Sequence, residues 1–535
     1  MVLSPTVGLK SSSLCLSFLR KFAPPPWSEG CPQRRACEED LPADDVARRI
    51  DQLVDELDLQ GLYASYAGRG QKAHRPDLLL RVVLYESHCG RQSPAQWAQD
   101  MRRNTVVQWL ARGLRPAQSV LYEFRDRLAS FLPEWHRQVV AAIQQACRNR
   151  GVDVTDSVTL DGTSMEACAS RHKMVCLDTV DKRLELLDHL PPVDSHEETL
   201  PTEEPTLEPT LEPAKQPKWL ARTDAGRQRQ KARLQQAKQR LQQQLAKNAR
   251  RPKDKRLPRK HVRVSITDPE AASGRDKHNV YRPLYNVQLV WSLVEPVVLS
   301  FAVFSEHGDH GMLPTLVDNL MQQTGCKPKK LLVDSAYTSA DDLAFCQVHG
   351  IELLGPWQAN DFTKDRPALK EPAQLPKSKF VYDAERDEYR CPQGHAMPFE
   401  EYKYKRRADA GHVRYRLYRC PPKHCRACPL KASCAKLPHK GRTLQRHPQQ
   451  ELIDGHQQRM ATPAARLEYR QRGQGERPFA DLKVHRNLRR LNGRGHQRAN
   501  TQMALTILAH NLGNLNSTSR IAGKHSPSNP SRIPA

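Results

Sequence analysis

Residues 329–354 read Lys329-Lys-Leu-Leu-Val-Asp334-Ser-Ala-Tyr-Thr-Ser339-Ala-Asp-Asp-Leu-Ala-Phe-Cys-Gln-Val-His-Gly350-Ile-Glu-Leu-Leu354. The short apolar run from Lys329 to Val333 predicts a buried strand, with Asp334 where it ends. Ser339 is a helix cap, so a helix is expected to about Val348, and Ile351 to Leu354 predicts another strand before Gly355-Pro356. Strand, helix and strand in succession argue for an α/β chain.

Moving upstream, Tyr285 to Leu293 and Val297 to Phe304 are two strand-like runs parted by Val294-Glu295-Pro296, which predicts a hairpin. A helix should follow Gly311, from Leu313 to about Gln323. Further back, Val152 to Leu160 is β-branched and apolar, and predicts a strand that ends at Asp161-Gly162-Thr163. Downstream, Tyr469, Arg472, Glu476 and Lys483 stand three, four and seven residues apart. On a regular helix they share roughly a 60° arc. That face would carry one carboxylate with two cations and a phenol, suited to an acid that holds a divalent ion while cations hold phosphate oxygens. An ordinary solvated face of a basic chain is the competing reading. Gly473, Gly475 and Pro478 predict that the helix starts or kinks near Glu476.

The pattern Tyr-x2-Arg-x3-Glu-x6-Lys resembles the Y-R-E-K signature of bacterial insertion-sequence transposases of the DDE class. Leu160-Asp161-Gly162-Thr163 and Leu332-Val333-Asp334-Ser335-Ala336-Tyr337 are similar to the segments that carry that family's first two acids. The resemblance covers roughly residues 45 to 515. It implies an RNase H-like mixed-sheet core in which Asp161, Asp334 and Glu476 bind Mg²⁺ (or Mn²⁺), cut DNA at the element's ends and join the freed 3′-hydroxyl to target DNA. Two divalent ions on such acids activate the attacking oxygen and stabilise the leaving one. It further implies that Arg472 and Lys483 hold DNA phosphates and that Tyr469 touches a displaced base or phosphate. The partners it implies are double-stranded DNA, as terminal inverted repeats and target, and further copies of the chain in a homo-oligomer. Asp161 and Asp334 also suit plain turn or cap roles. Asp268 reads as a turn residue before a second-shell ligand, and Asp309 as a helix start. Two other functions stay open: a catalytically silent DNA-binding descendant, and an RNase H-like nuclease without strand transfer.

Charge agrees with a polyanionic partner. Among 535 residues, 84 Lys and Arg face 59 Asp and Glu, a formal charge of +25. The excess gathers at Arg250 to Arg263, Lys403 to Arg407 and Arg486 to Arg498, and favours nucleic acid through counterion release. No run of eighteen apolar residues occurs, so no membrane span is expected. The stretch from Leu14 to Lys21 is broken by serines, so secretion is not expected and the localisation read is cytoplasmic and nucleoid-associated.

The expected organisation begins with a loose extension over 1–41 and a helical, DNA-end-binding domain over 42–148. The latter includes Ser93-Pro94 before Trp97 and the stretch Ser119 to Arg125, which resemble the family's N-terminal helical domain. Its DNA role is implied by the resemblance, and an ordinary packing or dimerisation bundle is the other reading. The core is expected to start at 149–189, to be interrupted by an acidic linker plus basic helix over 190–262, and to continue over 263–358. Proline-rich acidic repeats between Pro191 and Pro213 cannot bury enough apolar surface to fold. The basic helix from Ala225 to Ala249 carries Leu234, Leu241 and Leu245 on one side, and either lies on DNA or is merely solvated. A small β-rich insertion is expected over 359–457, final core helices with Glu476 over 458–516, and a disordered tail over 517–535. Fourteen cysteines occur, five of them between Cys391 and Cys434. Cys425 and Cys428 form a C-x2-C pair, and two of Cys391, Cys420 and Cys434 would complete a tetrahedral structural Zn²⁺ site. Reduced, unliganded thiols and redox chemistry are the alternatives.

Overall fold

The structure is a computed structural model that describes residues 21–514 apart from 69, 191–216, 252, 277, 358–374, 407–410 and 436. The acidic repeats and the tail over 517–535 lie outside the described residues. Among the described residues no helix is long and apolar enough to cross a membrane.

Helices fill the N-terminal part. Pro76–His88 starts with proline at its first turn, where the missing N–H costs nothing, and is buried on every side from Pro76 to Ser87. Its one buried guanidinium, Arg81, is paired with Asp51, Asp55 and Asp77. Around it stand Val46–Glu56, Pro94–Arg103, Gln118–Leu128 and Leu132–Arg148. The stretch expected to be loose holds a helix at Pro32–Asp40. Phe22 is also buried there, its ring edge-on to Tyr63 and Tyr66 at 5.4 and 5.3 Å. Aromatic burial and a proline-started turn give this segment more structure than its lack of period suggests.

The central sheet is built from β1 (Ser157–Glu166), β4 (Ala272–Arg275), β5 (Tyr281–Ser292), β6 (Val298–Phe304), β7 (Lys330–Leu332) and β8 (Glu352–Leu354). Its order is β6-β5-β1-β7-β8, with the short β4 also on the outer edge of β5. The first three of these strands are antiparallel neighbours, while β1, β7 and β8 run parallel. Parallel neighbours need crossovers. Helices Leu313–Thr324 and Ala340–His349 supply them, each ended by a left-handed glycine, Gly325 and Gly350. The latter helix opens with a capping box in which Ser339 and Asp342 exchange hydrogen bonds.

One strand boundary differs from the sequence expectation. β1 starts at Ser157 and runs through Asp161 to Glu166, so Asp161 is mid-strand. Asp153 accepts hydrogen bonds from the amide and hydroxyl of Thr155 at 2.9 and 2.7 Å, which holds residues 153–155 in a turn. Beyond Asp161, pairing with β5 continues from Asp161 opposite Leu289 to Glu166 opposite Leu284.

The segment after β1 also departs from expectation. Leu177–His189, assigned from sequence to the core, packs instead on the basic helix, Asp224–Ala249. Lys231 pairs with Asp188 and Lys238 with Asp181, so the two helices run antiparallel. Val180, Leu234, Ala237 and Leu241 are buried between them, together with Val175 and Val264 of the two-residue strands β2 (Met174–Val175) and β3 (Val264–Ser265). The basic helix is thus neither fully solvated nor free: its apolar stripe has a partner.

A second sheet, order β13-β12-β11-β10-β9 and antiparallel throughout, is formed by β9 (Val381–Asp383), β10 (Glu388–Arg390), β11 (Ala396–Arg406), β12 (His412–Arg419) and β13 (Thr443–Arg446). Helix Gln450–Ala461 leads back to the core. The last described helix, His496–Asn514, packs on Pro76–His88, Leu132–Arg148 and β6.

Candidate active site

Register brings two distant acids together. β1 and β7 are parallel, with Thr159 opposite Leu332 and the Thr159 hydroxyl bonded to the Leu332 carbonyl at 3.0 Å. Asp161 and Asp334 each stand two residues beyond that pair, so the ladder sets them side by side. Asp334 caps the turn Ser335–Tyr337 by accepting from the Ala336 amide at 2.8 Å, and Asp161 accepts from the Gly162 amide at 2.8 Å. Arg472 reaches both: its Nη2 is 3.2 Å from Asp161 Oδ2 and 4.0 Å from Asp334 Oδ2. The guanidinium Nε is buried and makes no hydrogen bond among the described residues.

The segment that carries Arg472 has a changing winding. Pro463–Tyr469 is α-helical, Arg470–Glu476 is a tighter 3-10 run, Arg477–Ala480 returns to α, and Asp481–His485 widens to π. Pro478 lacks the N–H that a regular helix would use, and two glycines loosen the turn before it. The path stays helical, but its winding is not that of the single regular helix expected from the sequence. Gly475 lies directly on β1, where an added Cβ would stand 2.7 Å from Thr159 Cγ2. This close approach brings the exposed Glu476 within electrostatic reach of Asp161.

The charges act on Asp161 in opposite directions. Burial raises its pKa most, Arg472 and the Gly162 amide pull it down, and the nearby Asp334 and Glu476 push it up, leaving it above the usual carboxylate range. Tyr469 is half-buried against Leu332, Leu354, Met460 and Ala465, and burial raises its phenol's pKa, with Arg472 opposing. Lys483 donates to the Thr163 hydroxyl, two residues along β1 from Asp161. Arg472 thus contacts both Asp161 and Asp334, Lys483 contacts β1 at Thr163, and Tyr469 packs on the end of β7.

A group of polar residues is hydrogen-bonded on the other face of the sheet. The Gln288 amide donates to Asp309 at 2.8 Å, the Asn286 amide donates to the same oxygen at 2.7 Å, and the Tyr337 hydroxyl donates to Gln288. Asp309 thus holds two β5 side chains rather than simply starting a helix. Gln288 and Tyr337 were missed in the sequence. A polar residue inside the apolar run Val287-Gln288-Leu289 was the available signal. Asp268 is buried and accepts from the Tyr285 hydroxyl at 2.8 Å, with burial raising its pKa. Its bond to Tyr285 is structural.

No three His, Cys, Asp or Glu side chains among the described residues stand together as ligands of one ion. The chemistry of the acids nevertheless suits a hard divalent ion, which prefers carboxylate oxygens, and the half-buried Arg472 guanidinium lies 3.2 and 4.0 Å from oxygens of two of them. The five cysteines of interest stand apart from this group, on the β9–β13 unit.

Two family models match the chain. One, described as a transposase domain (DUF772), matches residues 35–127, and the other, described as a transposase DDE domain, matches residues 390–516. Both matches are to transposase domains, and together they support an insertion-sequence DDE transposase. No curated protein and no solved structure matches it. The first match falls on the N-terminal helices around Pro76–His88. The second runs from the turn at Cys391 through Glu476 and Lys483 into the last helix.

Proposed function

We propose that this transposase binds the ends of its element and carries out Mg²⁺-dependent DNA cleavage and strand transfer, with Asp161, Asp334 and Glu476 as the metal-holding acids of an RNase H-like core. The observation that carries the proposal is the β1–β7 register, which sets Asp161 beside Asp334 under Arg472 while Gly475 lets Glu476 approach β1. The strand order supports it: three antiparallel strands are followed by two parallel ones on helical crossovers, with β1 central. A divalent ion on these acids supplies activation of an oxygen nucleophile and stabilisation of the leaving oxygen. Arg472 opposes the burial and the like-charged neighbours that raise the pKa of Asp161. Arg472 and Lys483 offer cations to DNA phosphates beside the reacting bond, and Tyr469 sets the edge of the site. The exposed basic residues Arg250, Arg251, Lys253, Lys255, Arg256, Arg259 and Lys260 form a tract for the flanking duplex. Pairing two element ends calls for a homo-oligomer on DNA.

The test uses the purified chain, a duplex carrying the element's own terminal repeats, a target plasmid and Mg²⁺. Cleavage followed by joining is expected. Asp334→Asn should fold normally, bind the duplex and lose both activities by about 10³-fold or more. Full activity in that variant removes the assigned site, while cleavage without joining by the wild type makes the protein a nuclease.

A further inference from the structure

Outside the acid site, the β9–β13 unit gathers a second set of metal-binding side chains. Cys391 follows β10 in a tight turn, where Gly394 has φ of 78° and the Cys391 amide donates to the His395 carbonyl at 3.0 Å. Cys420 follows β12, Cys425 lies in the short helix Pro422–Ala427, Cys428 is its C-terminal cap, and Cys434 ends Lys431–Cys434. All five thiols line one cavity of about 20 Å³, together with His395 and His424. None is in a disulfide. The apolar cluster beneath them is small, with Phe380, Tyr389, Met397, Tyr418 and Leu444 completed by three of the cysteines themselves. Units with so small a core are commonly stapled by a metal or by disulfides.

The five thiols are not equivalent. Cys425 Sγ accepts the Arg442 amide at 3.4 Å, and the Cys420 thiol hydrogen-bonds to Cys425 as well. Cys420 has the most buried side chain of the five, and its backbone is pinned: its amide donates to the Arg442 carbonyl at 2.9 Å, and a Cβ on Gly441 would stand 2.1 Å from its carbonyl oxygen. Cys391 and Cys428 sit instead at a turn and a helix end, and Cys425 and Cys428 have the C-x2-C spacing of a thiolate pair.

We propose that this cavity binds one structural Zn²⁺ through Cys391, Cys425, Cys428 and Cys434, with Cys420 a neighbouring thiol that hydrogen-bonds Cys425 and is not a ligand. The thiols line the cavity without standing at ligand spacing, so binding draws them together and is coupled to folding of the unit. Four thiolates close the coordination sphere, which makes the ion structural and not catalytic. The site is independent of the DNA chemistry proposed above.

The untagged full-length chain, grown with zinc and purified without chelator, is assayed by elemental analysis. About one zinc per chain is expected, retained in Cys420→Ser and in Asp334→Asn, and lost in Cys391→Ser, Cys425→Ser, Cys428→Ser and Cys434→Ser. Because a ligand variant could lose zinc merely by failing to fold, wild-type protein is also loaded with Co²⁺. Thiolate charge-transfer and tetrahedral d–d bands are then expected in folded protein. Wild-type protein with neither zinc nor a cobalt spectrum overturns the site. Zinc retained by any of the four ligand variants, or lost in Cys420→Ser, overturns the ligand set.

Discussion

At the scale of single residues, the site depends on a cation placed between acids. Asp161 sits above the usual carboxylate range because burial outweighs Arg472, and Asp334 and Glu476 add repulsion. Metal binding needs the ionised form, so acid should switch activity off as Asp161 takes up a proton. Removing Arg472 removes the cation that lowers this pKa. Arg472→Ala should therefore move the acid limb of the pH–rate profile to higher pH and lower the maximal rate by roughly 10²-fold. An unmoved limb in cleavage assays from pH 5 to 9 would show that Arg472 does not tune Asp161. Gly162 is a second residue-scale test: a Cβ there would stand 2.1 Å from Gln288 Nε2, whose side chain is fully buried and tied to Asp309 and Tyr337. Gly162→Ala should cost about 1–3 kcal/mol in denaturant unfolding.

At the scale of elements, helices do work that their sequences announce only in part. The stretch over 463–485 has the spacing of one amphipathic helix, yet it passes through 3-10 and π windings, and Gly475 reaches β1 because it has no side chain. The basic helix Asp224–Ala249 shows a leucine stripe in its sequence, but the partner of that stripe lies across the acidic linker in Leu177–His189. Leu241 is fully buried in that contact. Leu241→Ala should destabilise the pair by about 2–4 kcal/mol. Hydrogen exchange should then speed up in residues 177–189 and 224–249 and stay unchanged in β5 and β6. Uniform acceleration would mean that the pair and the central sheet unfold as one unit.

At the scale of the whole molecule, the N-terminal helices and the central sheet share one hydrophobic cluster. It runs from Leu41 and Ile50 through Trp135 and Leu160 to Leu316, Leu331, Leu505 and Leu512. The last helix is buried between the N-terminal helices and the sheet, and Asn511 bonds to both backbone groups of Val298 at 3.0 and 2.8 Å. A fragment beginning near residue 150 would expose those apolar faces to water. It should aggregate on expression, whereas the full chain stays soluble. A monodisperse fragment in gel filtration would show that the core folds without the N-terminal helices.

The sequence by itself determined the alternation of strand and helix around Asp334, the β5–β6 hairpin and the basic balance. These follow from local chemistry: apolar runs, caps, turn formers and charge. Only the tertiary structure decided that Asp161 lies within β1 rather than at its end, because pairing with β5 extends a strand that its own residues would let stop at Gly162. It also decided that Gln288, Asp309 and Tyr337 form one hydrogen-bonded group, and that the leucine stripe of the basic helix has a partner before the linker. Asp161 and Asp334 are far apart along the chain, and no local pattern measures the distance between them. The register of two parallel strands does, since it is set by backbone hydrogen bonds between segments that meet only when the chain is folded.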